Sequence, residues 1–127
     1  MTAGDLTHWA FAFVFTQIIE VPIYMRGLRV SPLKAFGASA LTHPVVWFVI
    51  PSVWGALYGW AARSGFLALS PLEQFLGYGV LAEGFAVAGE AAYFHALGVK
   101  KALRWSLAAN AVSAVIGLLS TRLFGWP

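Results

Sequence analysis

The 127-residue chain is 60% hydrophobic and only 10% charged, with a mean hydropathy of +0.76. Soluble domains carry roughly a quarter of their residues as charged side chains, so this composition excludes a water-exposed globule and points to lipid as the solvent. The net charge of +3 comes from Lys and Arg clustered between apolar runs, with no basic-aromatic stripe for nucleic acid, and the lack of cysteine excludes disulfides, thiolate catalysis and cysteine-held metal centres.

The first apolar run covers residues 6–25 and ends at Arg26 and Gly27, a basic last turn followed by a residue that tolerates left-handed backbone. It lacks a basic leader and a small-residue cleavage site, so it is expected to stay in the mature protein as a span. After a short basic loop, Ser31 and Pro32 form an N-cap and first helical position, and the apolar pattern continues to residue 62. Pro44 and Pro51 are expected to bend or break this second helix. The third span starts at "SPLE", where Ser70 caps, Pro71 takes the first position and Glu73 completes a capping box, and it runs to residue 97 before Gly98. The fourth covers residues 100–124. The expected architecture is therefore all-α: one domain over residues 1–127, a compact bundle of four transmembrane helices with the second kinked at Pro44 and Pro51.

Basic residues in short connections stay cytoplasmic. Loop one carries Arg26, Arg29 and Lys34, and loop three carries Lys100, Lys101 and Arg104, against Arg63 and Arg122 on the other side. This predicts a multi-pass protein of a bacterial inner membrane with loops one and three in the cytoplasm and both termini outside. Trp9, Trp60, Trp105 and Trp126, near span ends, fit interfacial belts.

The stretch "EGFAVAGEAAYFH" places Glu83 and Glu90 inside a span, where an ionisable group requires a partner or a purpose. By the helical rise of ~1.5 Å per residue, Glu20 lies about 9 Å from Arg26, Asn110 about 9 Å from Arg104, and Glu90 about 15 Å from Lys100. His43 comes at similar depth in the second helix, and Glu83 nearer the midplane. Within each helix these residues share a face with others: Gln17, Glu20 and Tyr24; Ser39, His43 and Trp47; Glu83 and Glu90; Asn110, Ser113 and Gly117. Exposing such stripes to lipid is costly, so they are expected to converge on an internal pocket. Glu20, His43, Glu83 and Glu90 are the candidate cation or metal ligands, with Gln17, Ser39, Thr42, Asn110 and Ser113 lining the pocket. The competing readings are ordinary ones: Asn110 and Ser113 as interhelical glue, Glu20 and Glu90 neutralised by Arg26, Lys100 or Arg104 reaching back, and His43 hydrogen-bonded to a neighbouring helix. His8 and His95 read as structural.

Together "EVPIY", "SALTHPVVWF", "EGFAVAGEA" and "SLAANAVSAVIGLL" give the chain a pattern that resembles a loose group of small, uncharacterised bacterial inner-membrane proteins of four helices. These carry a Glu-x-Pro, a Thr-His-Pro, paired glutamates and an Asn-x-x-Ser. The resemblance implies that Glu20, Thr42, His43, Glu83, Glu90 and Asn110 act as a set, and it implies no activity. Ser39 stands where many of the group carry Asn.

Three functions compete on these residues. The first is binding of a proton or cation in the transport of a small solute or metal ion, with a divalent metal such as zinc as a candidate cofactor. The second is an accessory or assembly subunit of a larger membrane complex. The third is an intramembrane metal-dependent enzyme, placed below the other two because no closely spaced ligand pair such as His-Glu-x-x-His is present. Haem held by His43 and His95 ranks lower still. The expected partners are the lipid bilayer and either further copies of the chain or a larger membrane complex, with no nucleic acid.

Overall fold

The computed structural model describes residues 3–66 and 68–125, with the side chains of residues 3 and 4 outside the description. Every regular element in it is helical: α1 (Ala3–Leu28), α2 (Pro32–Phe48), α3 (Ile50–Arg63), α4 (Pro71–Ala96) and α5 (Ala102–Phe124). Trp126, expected in an interfacial belt, lies outside the described residues.

The local starts and stops follow from side-chain chemistry. Ser31 accepts from the Lys34 N–H at 3.4 Å with Pro32 at the first helical position. At α4 the Ser70 N–H donates to Glu73 Oε2 at 2.7 Å while the Glu73 N–H donates to Ser70 Oγ at 3.3 Å, completing the predicted capping box. Gly98, at φ +73, takes the left-handed position just beyond α4 and turns the chain into α5.

The second predicted helix is two helices. α2 passes through Pro44 without interruption and ends at Val49, whose N–H closes the last turn on the Val45 carbonyl at 2.9 Å. Pro51 has no N–H to offer the Trp47 carbonyl and its ring crowds that turn, so α3 restarts at Ile50 with an axis bent by 42°. The expected kink at the two prolines is thus a break at one of them.

α1, α2, α4 and α5 form a closed ring in which each packs on two neighbours, α1 on α2 and α5, and α4 on α2 and α5. α1 and α4 stand on one diagonal, α2 and α5 on the other, and α3 packs beside α2 and α4. Small residues make this approach close: Ala35, Ala38, Ala91, Ala102 and Ala109 surround Tyr24 and Phe94. Leu28 at the end of α1 and Val30 of the α1–α2 connection pack on that cluster with Val99 of the α4–α5 connection, which brings both basic loops to one end of the ring.

Burial inverts the order of a soluble protein. Glu20 and Glu90 are each 1% exposed and Ser106 is fully buried, whereas Ile18, Leu33, Val80 and Leu123 are 69%, 78%, 74% and 72% exposed. An apolar outside around a polar inside is consistent with a membrane protein. α1 from Asp5 and α5 are long and apolar enough to cross a bilayer, and the bent α2–α3 pair makes a third such unit if it acts as one span.

Candidate functional site

Four helices deliver one polar patch each to the centre of the ring. On α1, Glu20 and Tyr24 lie one turn apart on the inner face. On α2 the matching pair is Ser39 and Thr42, and on α5 it is Asn110 and Ser113, each at a spacing of three. α4 contributes Glu90 and, two turns earlier on the same face, Glu83.

The donors are shared between the two buried carboxyls in a cross-braced pattern. Glu20 accepts from the Ser39 hydroxyl at Oε2 and from the Ser113 hydroxyl at Oε1, the latter at 2.6 Å. Glu90 accepts from the Tyr24 hydroxyl at Oε2, from Asn110 Nδ2 at Oε2 (2.6 Å) and from the Thr42 hydroxyl at Oε1 (3.1 Å). α2 and α5 thus each give one donor to each acid. Asn110 Nδ2 also donates to the Ser106 carbonyl at 2.9 Å, which holds the amide in place on its own helix. Among the described residues no ion pair joins Glu20 or Glu90 to Arg26, Lys100 or Arg104; the partners of both acids are neutral donors.

A close backbone approach makes one of these bonds possible. Gly89 faces Thr42 so tightly that a Cβ at position 89 would lie 2.8 Å from Thr42 Cγ2. Its missing side chain is what lets the threonine hydroxyl reach the neighbouring Glu90.

Beside the carboxyls lies a cavity of about 170 Å³, walled by Glu20, Ser39, Thr42, His43, Glu83, Glu90, Asn110 and Ser113 among others. His43 enters through an aromatic box, its ring centroid 5.2 Å from Phe13, 6.0 Å from Trp47 and 6.2 Å from Trp9, and its Nδ1 is buried without a hydrogen-bond partner. The expected bond from His43 to a neighbouring helix is therefore not made through that nitrogen.

Eight of the nine residues expected at the site line this one cavity. Gln17 does not: it is buried, with both amide atoms unpartnered, and Thr16 takes its place on the wall. The reason is helical angle, since Thr16 lies one full turn from Glu20 and about 40° off its direction while Gln17 lies about 60° off. Glu83 is also placed differently from the expectation of a deep interior acid. It touches the cavity but is exposed rather than buried, and it also lines a groove between α4 and α5. The four candidate ligands share one chamber without forming a compact donor set; among the described residues no three His, Asp or Glu side chains are grouped to hold one metal ion.

Tyr24 is the functional residue that sequence reasoning placed on the right face without assigning it a role. It is fully buried and bonds Glu90 across the ring. Its signal was the spacing of four from Glu20.

Comparison of the chain with protein-family models, with curated proteins and with solved structures gives no match.

Proposed function

We propose that this chain is an integral membrane protein whose inner chamber binds a proton or a cation, in the service of moving a small solute across the bilayer. In this reading α1, the α2–α3 pair, α4 and α5 are four spans, and the basic connections gathered at one end of the ring lie in the cytoplasm with both termini outside. α4 carries three of the chain's glutamates, of which Glu90 is enclosed by the ring.

The observation that carries the proposal is the pair Glu20 and Glu90, each 1% exposed, held by five neutral donors and joined to no base among the described residues. Two uncompensated negative charges in a low-dielectric chamber are strongly unfavourable, so the pair calls for a counter-charge that comes and goes. The adjoining cavity supplies room for it. A permanently neutral packing role would be served by apolar residues of similar volume at lower cost.

Infrared difference spectroscopy on the protein in lipid tests this. The protonated-carboxyl stretch is expected to change when protons or cations are added, and to lose its Glu20 and Glu90 components in Glu20→Gln and Glu90→Gln. A spectrum with no component from either residue responding to protons or added cations would overturn the reading. The accessory-subunit reading draws on the wide apolar exterior, and it gains if the protein is recovered only in a stoichiometric complex with a larger membrane protein.

A further inference from the structure

The groove between α4 and α5 is the part of the molecule that the buried pair does not explain. It encloses about 500 Å³, within the range of small-molecule sites, and opens on the outer surface of the ring. Its wall is apolar: Phe75, Leu76 and Val80, at 58%, 54% and 74% exposure, face it from α4 and Leu118 from α5. Val46, Glu83, Ala114 and Gly117 line both this groove and the inner cavity, so the two volumes meet at these residues. Glu83 stands at the junction and makes no hydrogen bond or ion pair among the described residues.

A lone carboxyl in an apolar groove asks for a cation, and the chain does not supply one. Its eight Lys and Arg residues all lie in connections or in the first or last turn of a helix. Glu83 is twelve residues into α4, about 18 Å from the helix start. A second copy alongside in the same membrane therefore brings no basic side chain to that depth. What fits is a molecule that carries its own positive charge and its own apolar body.

We propose that this groove admits an amphiphilic organic cation from the lipid phase, its apolar body against Phe75, Leu76 and Val80 and its charged head at Glu83. This rests on the acidic-chamber reading and names the ligand class for it: from Glu83 the head faces the junction to the cavity that holds Glu20 and Glu90. The ring of Tyr78, on the same wall, adds an aromatic surface suited to a cation. Gly79 leaves the groove open, since a Cβ there would meet nothing within 4 Å.

The test is equilibrium binding of radiolabelled tetraphenylphosphonium to the full chain in nanodiscs of zwitterionic phosphatidylcholine, with tetraphenylborate as the anion of the same shape. Saturable binding of the cation alone is expected. Glu83→Gln should weaken it by ~10-fold or more, the scale of a lost charge-assisted contact. Gly79→Phe, which fills the groove and keeps the acid, should weaken it comparably while the protein stays monodisperse. Unchanged affinity in Glu83→Gln, equal uptake of the anion, or a cross-link showing Glu83 against another protein chain would each overturn the proposal. If the phosphonium fails to bind while the infrared bands of Glu20 and Glu90 still respond to pH, this inference fails alone; if both are silent, the chamber reading falls with it.

Discussion

The Tyr24 hydroxyl donates to Oε2 of Glu90, although α1 and α4 stand on a diagonal of the helix ring with their backbones apart. A single phenol therefore bridges the interior that the other helices surround. Its ring rests on Phe94, with centroids 4.7 Å apart, so the same residue ties the apolar cluster at the basic end to the acidic chamber.

Tyr24→Phe separates those two roles. The ring packing survives and one donor to a buried acid is lost, so unfolding in mild detergent is expected to become easier by about 1–3 kcal/mol, the usual cost of removing a partner from a buried polar group. Chemical or thermal unfolding of the variant beside the parent chain measures this. A change near zero would mean that the bond contributes nothing net.

Gly89→Ala is expected to destabilise the protein through Thr42. The added methyl group would sit 2.8 Å from Thr42 Cγ2, and overpacking of this kind costs about 1–3 kcal/mol. Gly84→Ala, with nothing within 4 Å of its Cβ, shares the gain in helix propensity and serves as the reference. Adding Thr42→Ser to Gly89→Ala removes the clashing methyl group and keeps the hydroxyl, so the double variant should recover most of the loss.

At position 20, shape and polarity can be pulled apart from charge. Glu20→Gln keeps one acceptor oxygen for one of the hydroxyls of Ser39 and Ser113, offers an amide N–H to the oxygen of the other, and removes an ionisable group that has no counter-ion among the described residues, so stability should hold to within about 1 kcal/mol. Glu20→Leu strands the Ser39 hydroxyl, while that of Ser113 keeps the Asn110 carbonyl at 3.1 Å, and is expected to cost about 1–3 kcal/mol. Unfolding midpoints for the two variants decide the point, and equal losses would rule out the hydrogen bonds as the cause.

Pro51→Ala returns an N–H to the turn that starts α3 and is expected to reduce the 42° bend. Spin labels at the exposed positions Leu33 and Trp60, near the far ends of α2 and α3, should then move apart in a pulsed electron-resonance distance measurement. Pro44→Ala, in a helix that already runs through that position, should leave the distance unchanged.

Much of this was legible along the chain, because it depends on neighbours within one helix. The caps at Ser31 and Ser70 are contacts over three residues, and the polar stripe of each helix follows from a period of 3.6 residues. Glu83 and Glu90 do share a face, and eight of the nine expected residues do line one cavity. Gln17 failed because two adjacent residues straddle the inward direction and only the rotation of α1 against its neighbours selects Thr16. The helix break failed to resolve because two prolines in one segment look alike locally, while α2 stays helical at Pro44 and is interrupted only ahead of Pro51.

Taken alone, the order of residues determined the apolar composition, the helical segments, the basic connections and the inward stripe of acids, amides and hydroxyls. All of these arise from side-chain solvation and from bonds that close within a turn. Tertiary structure decided which helices stand on the diagonal, which oxygen each donor takes, and that Glu83 is exposed while Glu20 and Glu90 are buried. Those outcomes depend on how each helix is rotated against two neighbours distant in the chain, a degree of freedom that periodicity along one helix leaves open.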